Sequence, residues 1–255
     1  MKTPPEVKTL KTWEQVTIWV GLHQPLARLV GLTSGLVVFL VLLPPYIRMV
    51  FWYGLQSHKI LAGMLLIFSL LAISLIWSTG QRVDAWAFLF FNLWGARPIW
   101  LDRIMLGFTQ IGNGITALII ALILFLANER LLSYELGLGT LSLWLVVELV
   151  KFLVHRSRPF FRVNQARIVG GPAIGRSFPS GHTSQVFFMA TLMAQHFLPG
   201  ALVVLLLYTV AFLVGITRMY VGAHYPRDVL AGAILGTAWG LLGVIVDGYM
   251  LNGIG

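Results

Sequence analysis

The segment Leu136–Pro159 reads LGLGTLSLWLVVELVKFLVHRSRP. Its first 19 residues, Leu136–Val154, carry two charges, Glu148 and Lys151, before the chain changes abruptly to HRSRP. About 20 apolar residues let a helix cross a hydrocarbon layer about 30 Å thick, so the run reads as a membrane helix ending in a polar turn. Outward from it, similar runs occur at Leu29–Leu43, Ile60–Trp77, Met105–Ala127, Thr183–Phe197, Ala201–Ile216 and Val229–Val246. Inside lipid every backbone N–H and C=O must be paired within the chain, and runs of this kind then leave a helical bundle as the fold. The run Leu29–Leu43 is short and stops at Pro44-Pro45. The expectation is an all-α integral membrane helical bundle. Residues 1–55 form an N-terminal extension with an amphipathic segment and an extra membrane helix, and residues 56–255 form a six-helix membrane domain.

Composition supports this class. Hydrophobic residues make up 58% of the chain and charged residues 11%, too few charges to cover a water-facing surface. There are no cysteines, which excludes disulfides, thiolate metal sites and cysteine nucleophiles. The net charge of +9 on such a chain points to anionic headgroups or phosphorylated substrates, and not to nucleic acid. The nine acidic residues are scattered and form no carboxylate cluster suited to magnesium or calcium. Neither a metal nor a cofactor is expected. Met1–Gln24 is polar and lacks the apolar run and cleavage site of a signal peptide.

Two linkers differ in character. Thr79–Arg103 holds Trp86, Phe88, Phe90, Phe91, Trp94 and Trp100, a composition suited to the headgroup level. Arg156–Pro179 is rich in arginine and glycine and too polar to span. In the last run Gly232, Gly236 and Gly240 recur every four residues, which lets a neighbouring helix approach closely.

Three short segments hold the chemistry: Lys151–Pro159 (KFLVHRSRP), Pro179–His182 (PSGH) and Thr217–Asp228 (TRMYVGAHYPRD). The first ends one predicted helix, the second begins the next, and the third fills the turn after the chain has crossed and returned. Counting helices therefore brings all three to one membrane face. If the helix continues, Lys151 and Arg158 share a face about 10 Å apart along its axis. With Arg218 they supply three cations, and the arginine fork suits phosphate oxygens. Ser180 and Gly181 add a hydroxyl and backbone N–H groups where a helix begins, a natural place for an anion. Beside this anion site stand two histidines. His224 fits a nucleophile, Asp228 four residues later its orienting carboxylate, and His182 the general acid that later activates water. Glu148 and Lys151 are three apart, so an ion pair competes for Lys151. Arg156, Arg162, Arg167, Arg176 and Arg227 read as headgroup anchors, and His196 has no role.

These segments resemble the three signature motifs of the type 2 phosphatidic acid phosphatase superfamily, K-x6-R-P, P-S-G-H and S-R-x5-H-x3-D. Lys151, Arg158 and Pro159 match the first, and Pro179 to His182 the second. Arg218, His224 and Asp228 match the third, with Thr217 in place of the usual serine. The resemblance covers roughly residues 60–250. It implies a six-helix membrane core, a phosphohistidine intermediate and independence from metals. It also implies a phosphorylated lipid substrate: phosphatidic acid, phosphatidylglycerol phosphate or a polyprenyl diphosphate. A lipid phosphotransferase with the same first half-reaction is the alternative enzyme. A transporter or channel is the alternative from another class, and the placement of the polar groups at helix ends argues against it. Nothing in the sequence sets an oligomeric state.

Orientation draws two opposed signals. Lys2, Lys8, Lys11, Arg28, Arg82, Arg97, Arg103 and the arginine-rich linker lie on the side of the site, against Arg48, Lys59 and Arg130 opposite. The positive-inside rule would make that side cytoplasmic. The resemblance implies the extracytoplasmic face of the inner (plasma) membrane, and cations that bind phosphate are poor topology markers. The extracytoplasmic face is the expectation.

Overall fold

The computed structural model describes residues 44–93, 97–198 and 200–252, with Ser34, Val38, Val41 and Leu42 besides. The described residues are helical and contain no strand. Among the described residues, nine complete α-helices follow in order: α1 Pro45–Ser57, α2 Lys59–Ser74, α3 Ser78–Leu93, α4 Ile99–Thr109, α5 Gly114–Leu126, α6 Arg130–Val154, α7 Gly181–Phe197, α8 Ala201–Tyr220 and α9 Pro226–Asn252. The amphipathic segment and most of the expected helix Leu29–Leu43 lie outside the described residues. α1 runs across position 55, where the N-terminal extension was expected to end, and packs on α2.

The long runs form helices, and the core falls where their period predicts. On α6, Leu132, Leu136, Thr140, Leu143 and Val147 are buried at three- and four-residue spacing, one stripe of a 3.6-residue helix. They meet Val186, Phe188, Met189 and Leu192 of α7, Ala211 and Val214 of α8, and Leu235 of α9. α7 is the enclosed helix, with an unbroken buried stretch from Thr183 to Val186. The glycine row of α9 lies against it. A Cβ on Gly236 would stand 2.1 Å from the Ser184 carbonyl oxygen, and one on Gly232 2.7 Å from that of Ser180. Outward, Leu118, Ile119, Leu122 and Ile123 of α5 and Leu138, Leu141, Leu145 and Leu149 of α6 are exposed. So wide an apolar surface is a lipid-facing one.

Arg130–Phe161 and Ala201–Tyr220 are long and apolar enough to cross a bilayer; α2 with α3 and α4 with α5 pass that test as pairs bent by 97° and 57°. The two bends correct the sequence reading. Ile60–Trp77 is one helix up to Ser74, where α2 ends, but the supposed linker from Thr79 is largely helical, as α3 and the start of α4. α3 is two-faced. Asp84, Ala85, Phe88 and Asn92 point inward and are buried, whereas Val83, Trp86 and Phe90 are exposed. Met105–Ala127 is likewise interrupted, by a 3-10 turn at Gln110–Gly112. Asn113 then takes an extended conformation, and its side chain accepts from the Ile115 N–H, starting α5. An asparagine cap satisfies one of the free N–H groups of a new helix, so apolar composition alone missed the break.

Candidate active site

The polar groups gather where α6, α7, α8 and α9 meet three connecting segments. α6 does not continue to Arg158, as a shared helix face would require. It stops at Val154, and His155 takes a left-handed conformation with φ 55°. That turn sends the next residues inward, so Arg156 and Arg158 are both buried, at 8% and 4% exposure. Lys151 stays in the last turn of α6, where Nζ donates to Glu148 Oε1 at 2.7 Å. It also borders the start of α7: a Cβ on Gly181 would lie 3.9 Å from Nζ.

Arg158 is held by backbone carbonyls. Nε donates to Gly175 O at 3.0 Å, Nη2 to Ile174 O at 2.7 Å and Nη1 to Ala223 O at 3.0 Å. The same Nη1 lies 3.2 Å from His224 Nε2. His224 sits in the turn between α8 and α9 and is buried. Its Nδ1 is 2.7 Å from the Ser177 carbonyl oxygen. A carbonyl only accepts, so Nδ1 carries the proton and Nε2 keeps its lone pair, directed at Arg158. Burial pushes the imidazole down to about 3, with Arg158 and Arg218 acting in the same sense and Asp228 against it. His224 is therefore neutral near pH 7.

Asp228 lies in the first turn of α9, fully buried. Its Oδ2 is 3.7 Å from His224 Nδ1, beyond a hydrogen bond. The carboxylate instead accepts from Arg156 Nη1 at 2.5 Å, from the Tyr225 N–H at 2.9 Å and from the Ser177 hydroxyl. Asp228 thus fixes Ser177, whose carbonyl fixes the His224 ring, where the sequence suggested a direct bond from Asp228 to the imidazole.

The remaining candidates converge on the start of α7. His182 lies in the first turn of α7 and is half-buried. Arg218, in the last turn of α8, is buried, donates through Nη1 to Thr109 Oγ1 at 2.8 Å, and leaves Nε without a partner. The break before α5 also supports His182, since a Cβ on Gly112 would come within 2.5 Å of its backbone oxygen. Ser180 is buried; its N–H donates to Asp228 O at 3.0 Å and its Oγ accepts from Thr183 Oγ1 at 2.9 Å. The Thr217 hydroxyl donates to Val214 O one turn back at 2.7 Å, so it is engaged within α8.

Three arginines read as headgroup anchors are corrected. Arg156 lies between two buried carboxylates, Asp228 and Asp84, with its guanidinium 4.1 Å from the Tyr225 ring centroid. Arg227 binds Asp84 at 3.0 Å through Nε and Ser74 O at 2.7 Å through Nη1. Arg167 pairs with Asp102, which also accepts from the Tyr220 hydroxyl at 2.6 Å. His196 is near two carboxylates at the far end of α7, 3.8 Å from Glu135 and 4.0 Å from Glu129. These partners lie far apart in sequence, so no local pattern revealed them.

Comparison with known proteins gives the family. Residues 132–249 match the PAP2 superfamily. Phosphatidylglycerophosphatase B of Bacillus subtilis is 30% identical over 168 residues, 60% of this chain and 77% of that protein. The chain belongs to the PAP2 superfamily. The matched region runs from α6 to α9 and so contains every candidate residue above. Undecaprenyl-diphosphatase of Sulfolobus acidocaldarius is 29% identical over 132 residues, 50% of this chain; the chain spans 61% of that relative's length. The crystal structure of the first transmembrane PAP2 type phosphatidylglycerolphosphate phosphatase, from Bacillus subtilis, superposes with a TM-score of 0.63 at 25% identity. It covers 73% of this chain and 95% of that one. This PAP2 protein is thus an all-α membrane bundle.

Proposed function

We propose that the protein is a membrane lipid phosphate phosphatase with His224 as nucleophile. The observation that carries this reading is the buried neutral imidazole, with Nδ1 bound to the Ser177 carbonyl and Nε2 beside the Arg158 guanidinium. A phosphoryl group bound by Arg158, Arg218, Lys151, the Ser180 hydroxyl and the Gly181 N–H would present phosphorus to that lone pair. Nε2 forms a bond to phosphorus as the P–O bond to the lipid breaks, and His182 protonates the departing oxygen. The cations stabilise the charge on the three equatorial oxygens. Asp228, 3.7 Å from the ring, balances the positive charge of the phosphorylated imidazole. Water, giving its proton to His182, then breaks the N–P bond and releases inorganic phosphate. This chemistry needs no metal or cofactor, and the chain's own cations fill the role of an ion.

The substrate class is a phosphomonoester or diphosphate of a lipid. The printed names of the relatives, phosphatidylglycerophosphatase B and undecaprenyl-diphosphatase, support it. The site faces the extracytoplasmic side. Arg156, Arg158 and Arg167 of the arginine-rich linker lie in paired or buried positions, which removes them from the positive-inside tally that opposed this orientation.

The test is phosphate release in detergent with EDTA present, from phosphatidic acid, phosphatidylglycerol phosphate and a polyprenyl diphosphate, with His224→Ala alongside. Release that survives EDTA and disappears in the variant is expected, and release that persists in the variant refutes the nucleophile.

A further inference from the structure

Asp84 lies on the inner face of α3, outside all three motifs and 3% exposed. A buried carboxylate is costly unless paired, and this one has three donated contacts. Arg156 Nη2 donates to Oδ2, as does Arg227 Nε at 3.0 Å; the Arg227 N–H donates to Oδ1 at 3.1 Å. Gln81, one turn earlier on α3, accepts from the same Arg156 Nη2 at 2.9 Å. Arg156 spans the gap to the site, with its other terminal nitrogen on Asp228. Its backbone carbonyl accepts from the Ser177 N–H at 2.8 Å. Charge therefore alternates through Asp84, Arg156 and Asp228, and the last link is the Ser177 carbonyl that sets the His224 ring.

We propose that Asp84 is a positioning residue for the nucleophile, acting through Arg156 and Asp228. The inference rests on His224 being the nucleophile, as in the reading above. Asp84 holds one end of the guanidinium fork, so the other end meets Asp228 in a single geometry. With Asp84 neutral, Arg156 is drawn wholly to Asp228. The carboxylate then turns from Ser177, and the carbonyl that fixes Nδ1 loses its register. Asn92 acts beside it on the same face of α3, donating to Arg167 O at 2.9 Å and Tyr220 O at 2.8 Å and accepting from the Arg167 N–H at 2.7 Å. α3 thereby holds the arginine-rich segment and the turn before α9 together, while its exposed Trp86 and Phe90 face outward.

The experiment uses the full chain in detergent, with the three lipids above as probes and thermal unfolding in parallel. Asp84→Asn keeps the shape and one acceptor oxygen. Its kcat is expected to fall about 10- to 100-fold, the loss seen when the partner that orients a metal-bound histidine is removed, with KM within twofold and unfolding little changed. In an Asp228→Asn background the same substitution should lower kcat by less than twofold, because the path is already cut. Unchanged kcat in Asp84→Asn, or an equal loss in both backgrounds, overturns the proposal. Should Asp84→Asn not fold, Arg156→Lys decides: it keeps the cation but not the fork, and wild-type kcat in that variant overturns the proposal. Wild-type activity equal to that of His224→Ala would sink the histidine reading itself; an active wild type matched by Asp84→Asn sinks only this inference.

Discussion

Replacing Gly236 by alanine tests whether close helix contact builds the site. The added Cβ would lie 2.1 Å from Ser184 O, 2.9 Å from Ser184 C and 3.0 Å from Phe187 Cβ. Two of these atoms are backbone of α7, so no rotamer change relieves them. The nearest comfortable carbon–oxygen contact is roughly 3.3 Å, so α7 and α9 must separate locally by about 1 Å. Overpacking of this kind costs about 1–3 kcal/mol, offset by up to about 1 kcal/mol from the better helix propensity of alanine. A lower unfolding temperature is therefore expected. The kinetic effect should be larger. α7 follows Ser180 and carries His182 in its first turn, and α9 carries Asp228 four residues after His224, so parting them misplaces acid and nucleophile together. A misplacement of about 1 Å costs about 100-fold in rate. Gly243→Ala is the control on the same helix, because its Cβ would meet only Leu192 Cδ1, at 3.8 Å. The assay is phosphate release alongside intrinsic tryptophan unfolding in one detergent. Gly236→Ala with the kcat and unfolding temperature of Gly243→Ala would refute the reasoning.

Burial holds the His224 imidazole down to about 3 in the folded chain, against about 6.5 unfolded. The unfolded chain thus takes that proton first, so this contribution is whole above pH about 6.5 and is lost as pH falls toward about 3; unfolding of His224→Gln should fall less steeply across that window. Arg158→Lys removes the fork that meets Gly175, Ile174, Ala223 and His224 and should lower kcat/KM at least about 100-fold; a loss under tenfold would show that position needs only a charge. The chain has no cysteine and Ile174 is 95% exposed, so Ile174→Cys should react with a membrane-impermeant maleimide in intact cells; labelling only after lysis would reverse the orientation.

The chain's class was legible in its sequence because lipid imposes one dominant rule: a run such as Leu136–Val154 must be a helix, whatever surrounds it. The cations and histidines of the three motifs were legible too, since each lies within a few residues of a helix end and the order of crossings brings those ends together. Bends were not legible, because α2 gives way to α3 within an apolar stretch, and Asn113 starts α5 through one side-chain hydrogen bond that leaves the apolar average unchanged. The wiring of the site was also out of reach. Arg156 looked like an anchor, and its two carboxylates lie 72 residues away along the chain in either direction. Asp228 looked like the direct partner of His224 because four residues on a helix span one turn; the fold gave that bond to Ser177 O and turned Asp228 toward Arg156. Local spacing fixes which groups share a helix turn. Only the packing of α3 and α9 about the arginine-rich segment decides which buried charge each must neutralise, because a buried charge takes the nearest partner in space and not along the chain.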